Sequence, residues 1–183
     1  MFRSAREEEE MLLMRRPVST RDAYRLLGTL LGTLPPAAIF FHYLYSLGVP
    51  FSNPLHRDWH LFSYCLCLAM NIICCLTGRW MGAPVGRLVE RAERGSWHRT
   101  ILTMVGVGLL WGMVTGAAGG FLCFGIGAVF GALCAVMVGV SAFALFTPFH
   151  RLLARGGMID ARQLRPLAWG VTMLMTALIF GMG

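Results

Sequence analysis

The chain has 183 residues, of which 56% are hydrophobic and 14% charged, and its formal net charge is +7. This composition excludes an ordinary soluble domain and is typical of integral membrane proteins. All sixteen basic residues are arginines, and most of them flank apolar segments. Because no compact basic domain remains for nucleic acid, we expect these arginines to contact anionic lipid head groups.

Residues 1–19 are predicted to be a polar segment on the inner side of the membrane, and residues 20–183 a single five-helix transmembrane domain. Ser19 with Asp22 matches the capping-box pattern, so a helix should begin near Thr20. The first span then covers about residues 26–47. Pro35-Pro36 interrupts it and should kink the helix near the bilayer centre, which leaves backbone carbonyls in need of a donor.

The second span is predicted over about residues 60–81, with Asn71 as the polar residue of its core. Asn71 is expected to face the other helices and donate to the carbonyls freed by the proline pair. The alternative is an interhelical hydrogen bond to another partner. The basic connection 83–99 has apolar residues at helical spacing, which indicates a short surface helix.

The uncharged stretch 101–146 would measure about 70 Å as one helix, more than twice the hydrocarbon thickness. It must therefore turn, which gives spans over about 101–120 and 125–146 joined by a glycine-rich tip. We expect this uncharged tip to be buried against another chain or to dip into the interface. Pro148 is predicted to end the fourth span, and the fifth covers about residues 167–183.

Two ladders of small residues spaced four apart lie in the third and fourth helices. In lipid, such spacing lets helix backbones touch, so the ladders predict a tightly packed hairpin. A pore lining or sliding gate is the alternative, but those helices carry few polar residues. The ladder residues are Gly108, Gly112, Gly116, Gly120, Gly127, Gly131, Ala135 and Gly139.

Counting arginines predicts the orientation. With the N-terminus inside and the C-terminus outside, the inner segments hold fifteen arginines and the outer ones only Arg57. Every loop then obeys the positive-inside rule. The predicted fold is an all-α integral membrane protein with five transmembrane helices, and its arginine-rich, glycine-rich composition suggests the bacterial inner membrane.

Three histidines form a candidate cofactor site on the outer side. His56 and His60 stand four residues apart, the spacing at which one helix face offers two imidazoles to a metal. His42, within the first span, could approach them or bind haem or chlorophyll. The alternative is that all three belong to an interfacial aromatic belt with neighbours such as Trp59.

Apart from Arg79, near the inner end of the second span, no Asp, Glu, Lys or Arg lies inside a predicted span, which argues against proton relays and acid-base catalysis at membrane depth. We therefore predict a non-enzymatic structural or accessory subunit of a larger membrane complex, with other membrane subunits as partners and no nucleic acid. One alternative is a cofactor-binding accessory subunit of an electron-transfer or light-harvesting complex. A second is a small channel or transporter with an uncharged pathway.

Overall fold

The computed structural model describes residues 17–46, 57–93, 95–123, 125–154 and 157–181. Within these ranges the chain is almost entirely helical. The elements in chain order are β1 (Pro17–Ser19), α1 (Thr20–Leu31), α2 (Leu34–Ser46), α3 (Arg57–Glu93), α4 (Trp97–Gly120), a 3₁₀ turn (Phe121–Cys123), α5 (Ile126–Leu153), β2 (Met158–Asp160) and α6 (Ala161–Gly181).

Among the described residues, five helical segments are long and apolar enough to cross a membrane, with α1 and α2 counting together as one. Helix α1 begins at Thr20 as predicted, since the Ser19 side chain accepts a hydrogen bond from the Asp22 amide at 3.2 Å. The predicted interruption is also present, at Gly32 and Thr33. The proline pair follows in the first turn of α2, where a missing amide hydrogen breaks no helical bond.

Helix α3 is longer than predicted, because it continues to Glu93 and includes the segment assigned to a separate surface helix. Packing against α1 explains the continuation. A Cβ atom built on Gly82 would lie 2.5 Å from the Tyr24 carbonyl oxygen, and one on Gly86 would lie 2.7 Å from Arg21 Cα. The backbones of α1 and α3 are thus in direct contact beyond the predicted end of the span.

The proline-based boundaries near the fifth span are wrong. Pro148 lies inside α5, which ends at Leu153, and Pro166 lies inside α6, which begins at Ala161. Each proline removes one helical hydrogen bond, a loss that helices packed in a bundle tolerate. The residue after α5, Ala154, caps the helix with its amide, which donates to the His150 carbonyl at 2.7 Å.

A two-stranded antiparallel sheet joins the start of the described chain to the segment just before α6, and the sequence did not predict it. Val18 pairs with Ile159, and the strands lead directly into α1 and α6. The amide of Thr20 donates to the Gly157 carbonyl at 3.2 Å, and Ile159 is buried. The sheet therefore holds the starts of α1 and α6 side by side.

Five helix ends meet at one end of the bundle, which we call the arginine end. They are the starts of α1, α4 and α6 and the ends of α3 and α5. Arg151 on α5 donates to Thr100 Oγ1 at 2.8 Å and to the Gly95 carbonyl at 3.2 Å. Its guanidinium also lies 4.3 Å from the centre of the Trp97 ring. Arg151 was expected at the head groups, but it instead clamps the α3–α4 connection onto α5.

Most of the hydrophobic core lies toward the arginine end. Tyr24 is fully buried there, with its ring stacked on Phe143 at 5.8 Å and edge-on to Phe146 at 5.2 Å. Its hydroxyl donates to Thr147 Oγ1 at 2.6 Å. The half of the bundle farther from this end is packed less completely, and a cavity lies there.

Candidate functional site

Helices α4 and α5 form an antiparallel hairpin in which ladder glycines face the opposite backbone. A Cβ atom built on Gly112 would lie 2.5 Å from the Ala135 carbonyl oxygen, and one on Gly108 would lie 2.8 Å from Val140 Cα. Similar atoms on Gly116 and Gly120 would collide with backbone carbonyls of α5. The two backbones therefore touch along most of the hairpin.

A cavity of about 270 Å³ lies beside the hairpin, between it, α3 and the interruption of the first span. Glycines provide no side chains to fill this volume, and the proline pair begins a new helix segment at its edge. The lining is almost entirely apolar and includes Leu31, Pro35, Met70, Phe130 and Val138. The cavity is therefore a product of both small-residue packing and the helix interruption.

The mouth of the cavity opens sideways from the bundle. Phe130, on its lining, is 65% exposed, and Cys134, one helical turn further along α5, is exposed as well. Both residues lie well inside α5. In a membrane this opening would face lipid chains, so a molecule would enter from the hydrocarbon phase.

Thr115 on α4 provides the only side-chain hydroxyl on the described lining. The residue is 2% exposed, and its Oγ1 has no hydrogen-bond partner among the described residues. Several other hydroxyls in or next to helices of this protein donate to the carbonyl four residues earlier. They are Thr29, Thr33, Ser63, Thr100, Thr172 and Thr176.

Two hydrogen bonds to or from helix α4 hold Thr115 in position against α3. Cys74 Sγ donates to the Thr115 carbonyl at 3.7 Å, and Trp111 Nε1 donates to the Gly78 carbonyl at 3.3 Å. Both donors and acceptors are buried. The part of α4 that lines the cavity at Trp111 and Thr115 is therefore anchored to α3.

The predicted histidine site is only partly covered by the structure. His42 is exposed on α2 and His60 is half-buried on α3, whereas His56 lies outside the described residues. No group of three or more potential metal ligands comes together within the described ranges. Binding of a metal, haem or chlorophyll by these histidines stays a prediction.

Asn71 lies on α3, one helical turn from Cys74. Gly32 packs against the backbone of Cys74 and Cys75, so Asn71 is near the level of the helix interruption, as expected. Its Oδ1 is buried and has no hydrogen-bond partner in the described part of the chain. Donation by its amide group to the freed carbonyls stays a prediction.

Sequence reasoning did not single out Thr115, Trp111 or Tyr24. A tryptophan midway along an apolar helix was an available signal, because its N–H needs an acceptor that lipid does not supply. For Thr115 there was no comparable signal, since hydroxyls in helices usually bond to their own backbone.

The length, hydropathy and arrangement of the helices define a multi-pass α-helical membrane protein. Comparison with protein-family models, with curated proteins and with solved structures finds no match for this chain.

Proposed function

We propose that this protein is a non-catalytic subunit of a larger integral membrane complex, in which another membrane subunit covers the tip of the α4–α5 hairpin. The observation that carries the proposal is the position of this tip beside α3. Cys123, in the 3₁₀ turn, lies against Met70, with 3.7 Å between the two sulfur atoms. Helix α3 begins at Arg57 and so extends about 20 Å past the tip.

Helix α3 also provides a scale for membrane depth. Its uncharged segment from Trp59 to Gly78 is about 30 Å long, which equals the thickness of the hydrocarbon core. Met70 is near the middle of that segment. By this scale the hairpin tip lies about 20 Å less far outward than the start of α3, within the membrane and not beyond it.

The tip contains backbone that is not α-helical. Phe121–Cys123 form a 3₁₀ turn, and Gly125 has a φ angle of 68°. On either side of the turn, Phe121 is 73% exposed and Ile126 is 71% exposed. Irregular backbone at membrane depth is tolerated where protein buries it, not where lipid surrounds it, and this supports a covering subunit.

The proposed orientation has the arginine end inside, the N-terminus inside and the C-terminus outside, as in a bacterial inner membrane. Exposed arginines at this end support contact with anionic head groups. They are Arg21, Arg25, Arg87, Arg91, Arg99, Arg162 and Arg165.

Photocrosslinking at the tip tests the proposal. A benzophenone amino acid replaces Phe121 or Ile126 in separate variants, which are irradiated in native membranes. We expect each to form a discrete protein–protein adduct, together with a native mass in mild detergent larger than that of one chain.

Met113 provides the matched control, because it is also exposed on α4 but lies two helical turns from Phe121. The same replacement there should yield mainly lipid adducts. Lipid adducts alone at Phe121 and Ile126, with a monomeric native mass, would contradict the proposal.

A further inference from the structure

We propose that the lateral cavity holds one acyl chain of a phospholipid from the leaflet at the arginine end, and that this chain lies parallel to α4 and α5. The inference is independent of the covering subunit proposed above, which would contact the hairpin tip. It depends on four properties of the cavity, which are its shape, its lining, its opening and its depth in the membrane.

The cavity is elongated along the helices. Its lining on α4 extends from Trp111 to Gly120, about 14 Å along the helix axis, and its lining on α5 extends from Gly127 to Val138, about 17 Å. A volume of about 270 Å³ distributed over this length makes the cavity long and narrow. A compact ring would fill only part of such a space, whereas a linear hydrocarbon chain matches its shape.

The lining offers contacts to an apolar chain and none to a polar group. Thr115 is the only hydroxyl-bearing residue on the described lining, and its oxygen is buried. Water is a poor occupant, because a buried water molecule usually makes about three hydrogen bonds. An unfilled cavity is also unfavourable, since the lining atoms lose dispersion contacts on one side. A hydrocarbon chain restores these contacts without needing a polar partner.

Membrane lipid has direct access to this space. Phe130 and Cys134 are exposed at the mouth of the cavity, and both lie well inside α5. A chain can therefore enter sideways while the head group and the second chain stay in the bilayer. Entry exchanges one apolar environment for another, so no polar group loses its hydration.

The position of the cavity along α3 indicates the leaflet. Its lining residues on this helix, Met70 and Cys74, lie in the half of the uncharged segment that ends next to Arg79. At the corresponding end of the cavity, Trp111 Nε1 donates to the Gly78 carbonyl at 3.3 Å. A phospholipid with its head group at the arginine end therefore extends its chain along the cavity toward the hairpin tip.

Contact photolabelling tests both the site and the direction of the chain. The full chain is placed in phosphatidylglycerol nanodiscs containing a titrated fraction of phosphatidylglycerol with a diazirine at one position of one acyl chain. We expect saturable labelling of the cavity side of α4. A diazirine near the carboxyl end should mark Trp111, and one farther along the chain should mark the region of Gly120. Lipid-facing residues of α4, such as Leu110 and Met113, should be labelled without saturation.

Variants connect the labelling to the cavity. Val138→Phe fills the cavity near Trp111 and should lower saturable labelling about tenfold or more, and Cys134→Phe should do the same by blocking the mouth. Val129→Phe is the matched control, because it makes the same change on the same helix at an exposed residue outside the lining. It should leave the labelling unchanged.

Equal saturable labelling in the parent and in both filling variants would overturn the proposal, and so would labelling confined to the lipid-facing side of α4. The reverse order of labelled positions along α4 would overturn the assignment to the leaflet at the arginine end. This order is measured in the parent protein, so it decides the direction even if a filling variant does not fold.

Discussion

Tyr24 shows how a single residue can connect elements that lie far apart in the sequence. Its ring contacts Phe143, Phe146 and His150, and its hydroxyl donates to Thr147, all on α5. Tyr24 therefore links the first span to the hairpin through both ring contacts and a hydrogen bond.

We expect Tyr24→Phe to lower the free energy of unfolding by about 1 kcal/mol, because it removes the 2.6 Å hydrogen bond and keeps the aromatic packing. Reversible unfolding in mixed detergent micelles would measure the change. Tyr43→Phe is the control, since Tyr43 is exposed on α2. Equal losses in both variants would show that the buried hydrogen bond contributes nothing specific.

Single residues also show what local sequence can and cannot predict. Ser19 and Asp22 were sufficient to predict the start of α1, because a helix cap is a local interaction. The unpaired hydroxyl of Thr115 depends on which helix faces it and on the gap left by glycines of two helices. Such a property is set by tertiary packing, which periodicity along one segment does not reveal.

At the scale of elements, the apolar segments were predictable and their ends were not. Five long apolar segments can be identified from hydropathy, and the described residues contain five such segments, with α1 and α2 counting together as one. The sequence prediction ended the second span near Met81, where arginines and Pro84 begin. In the structure, Val85 and Val89 are buried against α1 and its neighbours, so α3 continues as one helix.

Two glycines of α4 allow a direct test of the hairpin packing. Gly116→Ala would place a methyl group 2.5 Å from the Gly131 carbonyl carbon and 2.7 Å from Ala135 Cβ. We expect a net loss of about 1–3 kcal/mol in stability, because the helices must separate. The change would be measured by unfolding in detergent and by the yield of folded protein.

Gly106→Ala is the control within the same helix. No atom lies within 4 Å of a Cβ built there, so the substitution should be neutral or stabilise by up to about 1 kcal/mol through helix propensity. The two substitutions should thus have opposite signs. If both substitutions changed the stability in the same direction, the ladder glycines would not be needed for the close approach of α4 and α5.

For the molecule as a whole, the small sheet and the Arg151 clamp gather five helix ends and most of the arginines at one place. Hydropathy did not predict β1 and β2, since three-residue strands at the edge of helices leave almost no periodic signal. The orientation predicted from arginine counts depends only on the order of the spans. Missing the two short strands or misplacing a helix end therefore does not change it. Moving a span boundary by several residues leaves each arginine on the same side.

The orientation is accordingly the firmest whole-molecule prediction, and reporter fusions test it. Alkaline phosphatase fused after Gly181 should be active, because α6 would carry it across the membrane, and a fluorescent protein fused there should stay dark. Fusions after Ala154, on the arginine end, should give the reverse pattern. The opposite orientation would place all fifteen inner arginines outside and violate the positive-inside rule in every loop. Active phosphatase after Ala154 together with inactive phosphatase after Gly181 would therefore contradict both the orientation and the role assigned to the arginines.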